Sequence, residues 1–489
     1  MKILLIQPSA GFLMRGTTYP VCRSIMTTAS YLKSIGHEIL VFDRCIDFRK
    51  AEKVFDSFRP ELVTVFVPPT ASFKDAVYLS SVAKNMNATV VWCEVVAAAF
   101  AEAFVESGNT DFVITGETEA KLEALIGCLG NSCGFEKIPG LTYLDGKTAV
   151  TTENRNNAPL QTMPPIDWEM IDVRKCFRQF PHCKKMLYMY TSRGCPFKCG
   201  YCYNTMFYGS QHRKRPLKYV LSEIEMLEKK YGLDGVNFSD ELLLLSDEEI
   251  EEIDAFRREK NLNFVWGGET RADTYRDVQT LRKMYDAGCR WFMLGIETGS
   301  DETRKIINKP MSRDLIKSFV DKCTDAGITT FGSFIIGFPG ETESQLKETV
   351  EFAQSLNLDA FLFNYYIAIP KTPLYEKIRE NSRYNLGNML DTSSIAQEIQ
   401  SLTRNYSEIS DRDLKVVKSR FDWMTFTRKK KETGEKGMFI KKAVDTALHF
   451  ADGGIKNAAV NIFTAGKTFL TVLFYSFCFF PFLERNMRF

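Results

Sequence analysis

The chain has little histidine, four residues in 489, and almost no net charge: 63 Lys and Arg against 61 Asp and Glu leave a formal +2. So small a surplus gives no global field to recruit nucleic acid, and no basic stripe interleaved with aromatics is present. A secretory leader is not expected either. Met1-Lys-Ile-Leu-Leu-Ile-Gln7 lacks a long apolar core and a small-residue cleavage site, and reads as a first buried strand. The thirteen cysteines, an odd number scattered along the chain, therefore fit reduced thiols in a cytoplasmic protein better than a disulfide framework. The apolar stretch Phe469–Leu483 holds fifteen residues, short of the roughly twenty that span a bilayer. What is present is an ordinary folded composition, 45% hydrophobic and 25% charged, long enough for roughly three domains.

Residues 1–135 alternate apolar runs (Ile3–Ile6, Ile39–Phe42, Leu62–Val67, Val90–Trp92, Phe112–Ile114) with helical stretches, which predicts a Rossmann-like parallel α/β sheet. No G-x-G-x-x-G follows the first strand, so a nicotinamide or flavin dinucleotide is not expected. Residues 136–185 read as a hairpin, with Asp145-Gly146 as a type I′ turn signal, and a proline-rich linker. From 186 to 380 six further apolar runs alternate with helices. Pro216 opens one helix and Gly232 closes it, and Thr342 with Gln345 makes a capping box. Six βα units are too few for a closed eight-stranded barrel, so a partial, open (β/α)6 barrel is expected. Residues 381–436 read as a polar helical region ending in Arg428-Lys-Lys-Lys431, and 437–489 as an apolar tail. The tail is either a helix packed on the barrel or an interfacial anchor, with Lys429–Lys431 and Lys441-Lys442 upstream.

The chemistry is concentrated in Thr191-Ser-Arg-Gly-Cys-Pro-Phe-Lys-Cys-Gly-Tyr-Cys-Tyr203. Its C-x3-C-x2-C spacing offers the thiolates of Cys195, Cys199 and Cys202 and no fourth, which points to a 4Fe–4S cluster with one iron open to a small molecule. A structural zinc ion would want a fourth Cys or His at matching spacing. His212, the nearest downstream histidine, stands alone. Cys176, His182 and Cys183 read as isolated residues rather than a second metal site.

With its context, this loop resembles the radical SAM superfamily. Tyr201 stands where that family places an aromatic residue before the third cysteine. Gly295-Ile-Glu-Thr-Gly-Ser300 is similar to its "GIES" segment, Ile335-Ile-Gly-Phe-Pro-Gly-Glu341 to "GxPGET", and Thr270-Arg-Ala-Asp273 to "R-x-D". Pro370-Lys-Thr-Pro-Leu-Tyr375 is similar to "PGTPLY", with Lys371 in place of glycine. The resemblance implies S-adenosylmethionine (SAM) bound through its amine and carboxylate to the open iron. It also implies reductive cleavage to a radical that attacks an unactivated carbon, and an electron donor such as a ferredoxin or flavodoxin. The implied SAM contacts are Tyr201, Asp240, Glu241, Arg271, Glu297 and Gly337; Gly267-Gly268-Glu269 lies one strand beyond the family's Gly-Gly-Glu position and has less weight. No catalytic side chain is assigned.

The first domain resembles the cobalamin-binding domain that precedes the barrel in one radical SAM class, through Pro60–Val65, Ser80–Asn85, Asp111–Glu117 and Gly140–Tyr143. It lacks the Asp-x-His-x-x-Gly motif, and Cys93-Glu94-Val95-Val96 stands where Gly-Gly-Pro-His is frequent. Cobalamin binding and a retained fold without cobalamin therefore both stay open. Methyl transfer is the expected outcome in this class. The alternatives are non-methylating radical chemistry (ring formation or carbon–carbon bond formation) on a lipid or tetrapyrrole-like substrate, and a non-catalytic metal-binding scaffold. A membrane-surface location on the inner face would follow from the tail acting as an anchor.

Overall fold

A computed structural model describes residues 1–9, 23–68, 73–131, 134–154, 159–380 and 405–427. Five strands, β1 (Lys2–Gln7), β2 (Glu38–Asp43), β3 (Leu62–Phe66), β4 (Thr89–Cys93) and β5 (Phe112–Ile114), pair in parallel in the order β2-β1-β3-β4-β5. Their sequences are apolar throughout because helices cover both faces. Leu4, Ile6, Val63, Val65 and Trp92 bury into one layer, and Ile3, Leu5, Leu62, Phe66 and Val91 into the other. The order reverses between β1 and β3, the place where open α/β sheets receive ligands. Both carboxyl ends there lead into residues 10–22 and 69–72, outside the described residues.

The expected hairpin, β6 (Leu141–Asp145) and β7 (Thr148–Thr151), does not stand apart. It pairs antiparallel with β5 and extends the first sheet to seven strands. Its two-residue loop is Gly146-Lys147, of which only Gly146 has a positive φ, 63°. That is the II′ pattern, with glycine first, and not the I′ turn expected from Asp145-Gly146. The linker then fastens the two domains. Asp167 N–H donates to Ser30 of the first domain (2.9 Å), and Ile166 N–H to Glu223 of the barrel (2.7 Å).

The second sheet begins with an antiparallel edge strand, β8 (Arg178–Phe180), beside β9 (Cys183–Met189). A two-residue ladder follows, β10 (Ser192–Arg193) with β11 (Arg213–Lys214). The sheet continues through β12 (Gly235–Phe238), β13 (Val265–Thr270), β14 (Cys289–Glu297), β15 (Thr329–Ile336) and β16 (Ala360–Tyr365). Its order is β16-β15-β14-β13-β12-β9-β8, six parallel strands that do not close: the open half-barrel expected. The outer face, with Trp266, Phe292, Leu294, Ile296, Phe334 and Ile336, is buried under helices. Tyr188, Glu269, Met293, Ser333 and Leu362 on the inner face are only half-buried, so the lumen keeps open space above a floor of Phe180, Trp291 and Phe331.

Local signals are obeyed. The helix Leu217–Tyr231 stops at Gly232 (φ 71°), and Thr342 and Gln345 complete both halves of their capping box. Within the predicted polar helical region, Asp411–Thr427 is a helix. It covers the β16 edge by stacking Phe421 on Phe363 (4.1 Å) and by Thr425 bonding both backbone groups of Phe361. The apolar tail lies outside the described residues. Among those described, no helix is long and apolar enough to cross a membrane. Nine described cysteines are thiols, whereas Cys128 is in a disulfide, a departure from the all-thiol expectation.

Candidate iron–sulfur and SAM site

The cysteine loop leaves the barrel past the carboxyl end of β9, on the face where α/β barrels build their sites. Cys199 is buried and Cys195 and Cys202 half-buried. Burial pushes the Cys202 thiol up to about 12 and raises Cys195 as well. Several groups act the other way: the Arg271 charge favours the Cys195 thiolate, and the Asn204 N–H, 3.5 Å from Cys202 Sγ, and the Lys309 charge favour the Cys202 thiolate. Arg271 Nη1 also lies 3.9 Å from Cys199 Sγ. Among the described residues no three His, Cys, Asp or Glu side chains form a single-ion site. A 4Fe–4S cluster takes each thiolate on a different iron, so this donor set suits a cluster better than a zinc ion.

Each residue leading into Cys195 is held by a buried carboxylate. Thr191 donates its N–H (2.8 Å) and its hydroxyl to Asp240, and Ser192 its hydroxyl (2.8 Å). Arg193 donates to Glu119 (2.7 Å) and Thr27 (2.8 Å) of the first domain. Gly194 donates its N–H to Glu241 (2.8 Å), which is also paired with Arg23. Thus Asp240 and Glu241, expected at the SAM amine, have oxygens engaged in shaping the loop. Burial works against the charge on Glu119, but Arg193, the Thr27 hydroxyl and the backbone together outweigh it and hold that carboxyl low.

Tyr201, Glu297 and Arg271 do gather at the cysteines. Glu297 ends β14 in a left-handed conformation (φ 66°), at an irregularity in the pairing with β15, and is buried against Lys309 (2.6 Å). Tyr201 OH lies 3.4 Å from the same Lys309 Nζ, and burial and Glu297 keep the phenol protonated. Arg271 forks onto Asp273 (2.8 and 2.8 Å) and stacks on Phe197, 3.5 Å from the ring centroid. Gly337 (φ 82°) follows β15, and the Phe338 ring meets Tyr201 at 5.8 Å. Glu341 accepts from Gly337 N–H (2.7 Å) and Phe338 N–H (3.2 Å), and burial pushes its carboxyl up to about 7. Sequence reasoning missed Lys309, whose only signal was the turn Asn308-Lys309-Pro310. It also missed Arg23, Glu117 and Glu119, whose role appears only once the domains are docked.

Glu269 sits on the lumen face of β13. Its Oε1 accepts from Asn237 Nδ2 (3.3 Å), and Asn237 Oδ1 accepts from Trp291 Nε1 (2.9 Å). Its Oε2 is enclosed with no hydrogen-bond partner among the described residues, and burial pushes the carboxyl up to about 8.

At the first domain's ligand edge, Glu94 has φ 82° and ψ 175°, a conformation essentially confined to glycine. Val95 and Ala98 pack directly on Phe207 and Tyr208 of the barrel. At the β4 end the first domain therefore touches the barrel directly through apolar side chains.

The fold and site together define a two-domain α/β protein with a three-cysteine loop at the mouth of an open half-barrel. Residues 189–353 match the family model described as the Radical SAM superfamily, so the half-barrel part of this chain is a radical SAM domain. Enzymes of this superfamily use a 4Fe–4S cluster and SAM, act on small-molecule substrates and need a reductant. An uncharacterized methyltransferase of Pyrococcus horikoshii is 27% identical over 392 residues, covering 77% of this chain and 83% of its own. The anaerobic magnesium-protoporphyrin IX monomethyl ester cyclase of Rubrivivax gelatinosus is 25% identical over 398 residues, covering 77% and 70%. The fold is shared with the radical SAM methyltransferase TsrM of Kitasatospora setae, solved with cobalamin and a 4Fe–4S cluster: TM-score 0.64, 18% identity, 77% of this chain and 74% of that one.

Proposed function

We propose that this enzyme transfers a methyl group to an unactivated carbon of a small molecule, with Cys195, Cys199 and Cys202 holding the cluster. The observation that carries the site is the convergence of Tyr201, Glu297, Lys309 and Arg271 on three thiols. A 4Fe–4S cluster held by these three thiolates would supply the electron for reductive cleavage of SAM. Around it, Arg271 and Lys309 place positive charge beside the thiolates and suit the SAM carboxylate. Glu297 and Tyr201 give polar contacts for its ribose or amine, and the Gly337-Phe338 turn offers backbone beside the adenine. The half-barrel wall and Phe338 exclude water. The methyltransferase names of a relative and of a structural neighbour support the outcome.

One observation favours a second reading, ring or carbon–carbon bond formation without cobalamin. It is the direct packing of Val95 and Ala98 on the barrel, and a relative named as a cyclase agrees with it. An apolar wall of Met293 and Leu362 supports a substrate with an apolar body. The basic, apolar tail supports recruitment to an anionic membrane surface. Anaerobically reconstituted protein given SAM and a strong reductant decides between the outcomes. S-adenosylhomocysteine with 5′-deoxyadenosine, together with bound corrin, supports methyl transfer, whereas 5′-deoxyadenosine alone supports the second reading. No SAM cleavage, or full turnover in Cys199→Ala, would falsify both.

A further inference from the structure

Glu241 touches two things at once. One oxygen accepts the N–H of Gly194, one residue before Cys195, and the other is paired with Arg23 of the first domain. Arg23 also donates to the Ser239 carbonyl (2.7 Å) and to Tyr208 OH (3.1 Å), so its guanidinium is held by the barrel at three points. Gly194 has no slack. Its φ is 82°, and a Cβ there would meet the Gln211 carbonyl at 1.9 Å. The neighbouring Arg193, 3% exposed, is tied to Glu119 and Thr27, and its Nη1 lies 3.6 Å from Glu117. The loop that carries the cysteines is thus built half on barrel carboxylates and half on the first domain.

We propose that Arg23 and Glu241 are positioning residues. Through them the docking of the first domain sets the backbone at Gly194, and with it the seating of the cluster relative to SAM. The inference rests on the reading of Cys195, Cys199 and Cys202 as cluster ligands. Arg23 begins the helix that follows β1, beside the ligand-receiving edge of the first sheet, so a change of docking there reaches the cysteine loop through one ion pair. A buried carboxylate that loses its cation turns towards water, which loosens its grip on the Gly194 N–H.

The test uses full-length protein, anaerobically reconstituted, as wild type, Glu241→Gln, Arg23→Met and Arg23→Lys. Iron and sulfide per chain, the electron paramagnetic resonance of the reduced cluster with and without SAM, and the midpoint potential are measured. Expected for Glu241→Gln and Arg23→Met is near-wild-type iron with SAM affinity weakened roughly tenfold, the loss of one charge-assisted hydrogen bond, and an altered SAM-induced spectrum. Arg23→Lys keeps the charge but not the fork, and recovers part of the effect; if Arg23→Met does not fold, it carries the test. Variants whose clusters match wild type in spectrum, potential and SAM response overturn the proposal. So does a fall in iron content with the remaining cluster unchanged, which marks a merely structural role. Wild-type protein that takes up no cluster overturns the cysteine assignment beneath it.

Discussion

At the scale of single residues, buried charge decides more than the motifs do. Lys309 is 4% exposed and neutralises Glu297 beside Tyr201. Removing one partner of such a pair leaves a charge without compensation and costs about 3–5 kcal/mol. Lys309→Met is therefore expected to lower the unfolding temperature and to weaken SAM binding at least tenfold, as checked by equilibrium binding to the reconstituted protein. Glu297→Gln leaves the Lys309 cation without its counter-charge but keeps an oxygen for it to donate to, so it should lose less SAM affinity than Lys309→Met, which leaves Glu297 with neither. Glu269 makes a pH prediction. Its carboxyl is pushed up to about 8 by burial, so the folded state holds a proton that the unfolded chain releases near the ordinary carboxylate range. The stability it contributes is present at pH 4 and is lost as pH rises through 8. Asp43 and Glu341, raised to about 6 and about 7, act in the same window. The difference between wild type and Glu269→Gln isolates Glu269: the variant's unfolding temperature should fall less between pH 5 and pH 8. An identical fall in both would refute the assignment.

At the scale of elements, the cysteine loop is the most constrained segment. Gly194→Ala puts a Cβ 1.9 Å from the Gln211 carbonyl in a left-handed backbone. That variant should keep its far-ultraviolet circular dichroism yet bind less than a fifth of the wild-type iron. The strands and helices were legible in the sequence because they are local: continuous apolar runs for strands covered on both faces, and single apolar stripes with caps at Gly232 and Thr342 for helices. The cysteine spacing was equally legible. The partners of Asp240 and Glu241 were not, since Thr191 and Arg23 lie 49 and 218 residues away in sequence and meet them only after two sheets have formed. The hairpin was found but not its allegiance, because period-two patterning does not say which edge a strand joins.

At the scale of the whole molecule, buried polar groups join the two sheets at the cysteine loop, beside the apolar contact of Val95 and Ala98 with Phe207 and Tyr208. Glu117 and Glu119 hold Arg193, Glu117 also holds Arg213, and Arg23 reaches back to Glu241. Arg193→Met should cost about 3–5 kcal/mol and split calorimetric unfolding into two transitions, one per domain; a single unshifted transition would count against this view of the docking. Farther out, Lys371 occupies a position where the family favours glycine, and the reason is visible in its φ of 66°. The lysine bears that backbone cost while its ammonium reaches Glu102 (3.1 Å) and the Ala98 carbonyl (3.2 Å) of the first domain. In evolutionary terms the two positions form one character. A lineage that returns 371 to glycine frees Glu102 to drift, and one that loses Glu102 has no reason to keep the lysine, so related chains should show the pair gained or lost together.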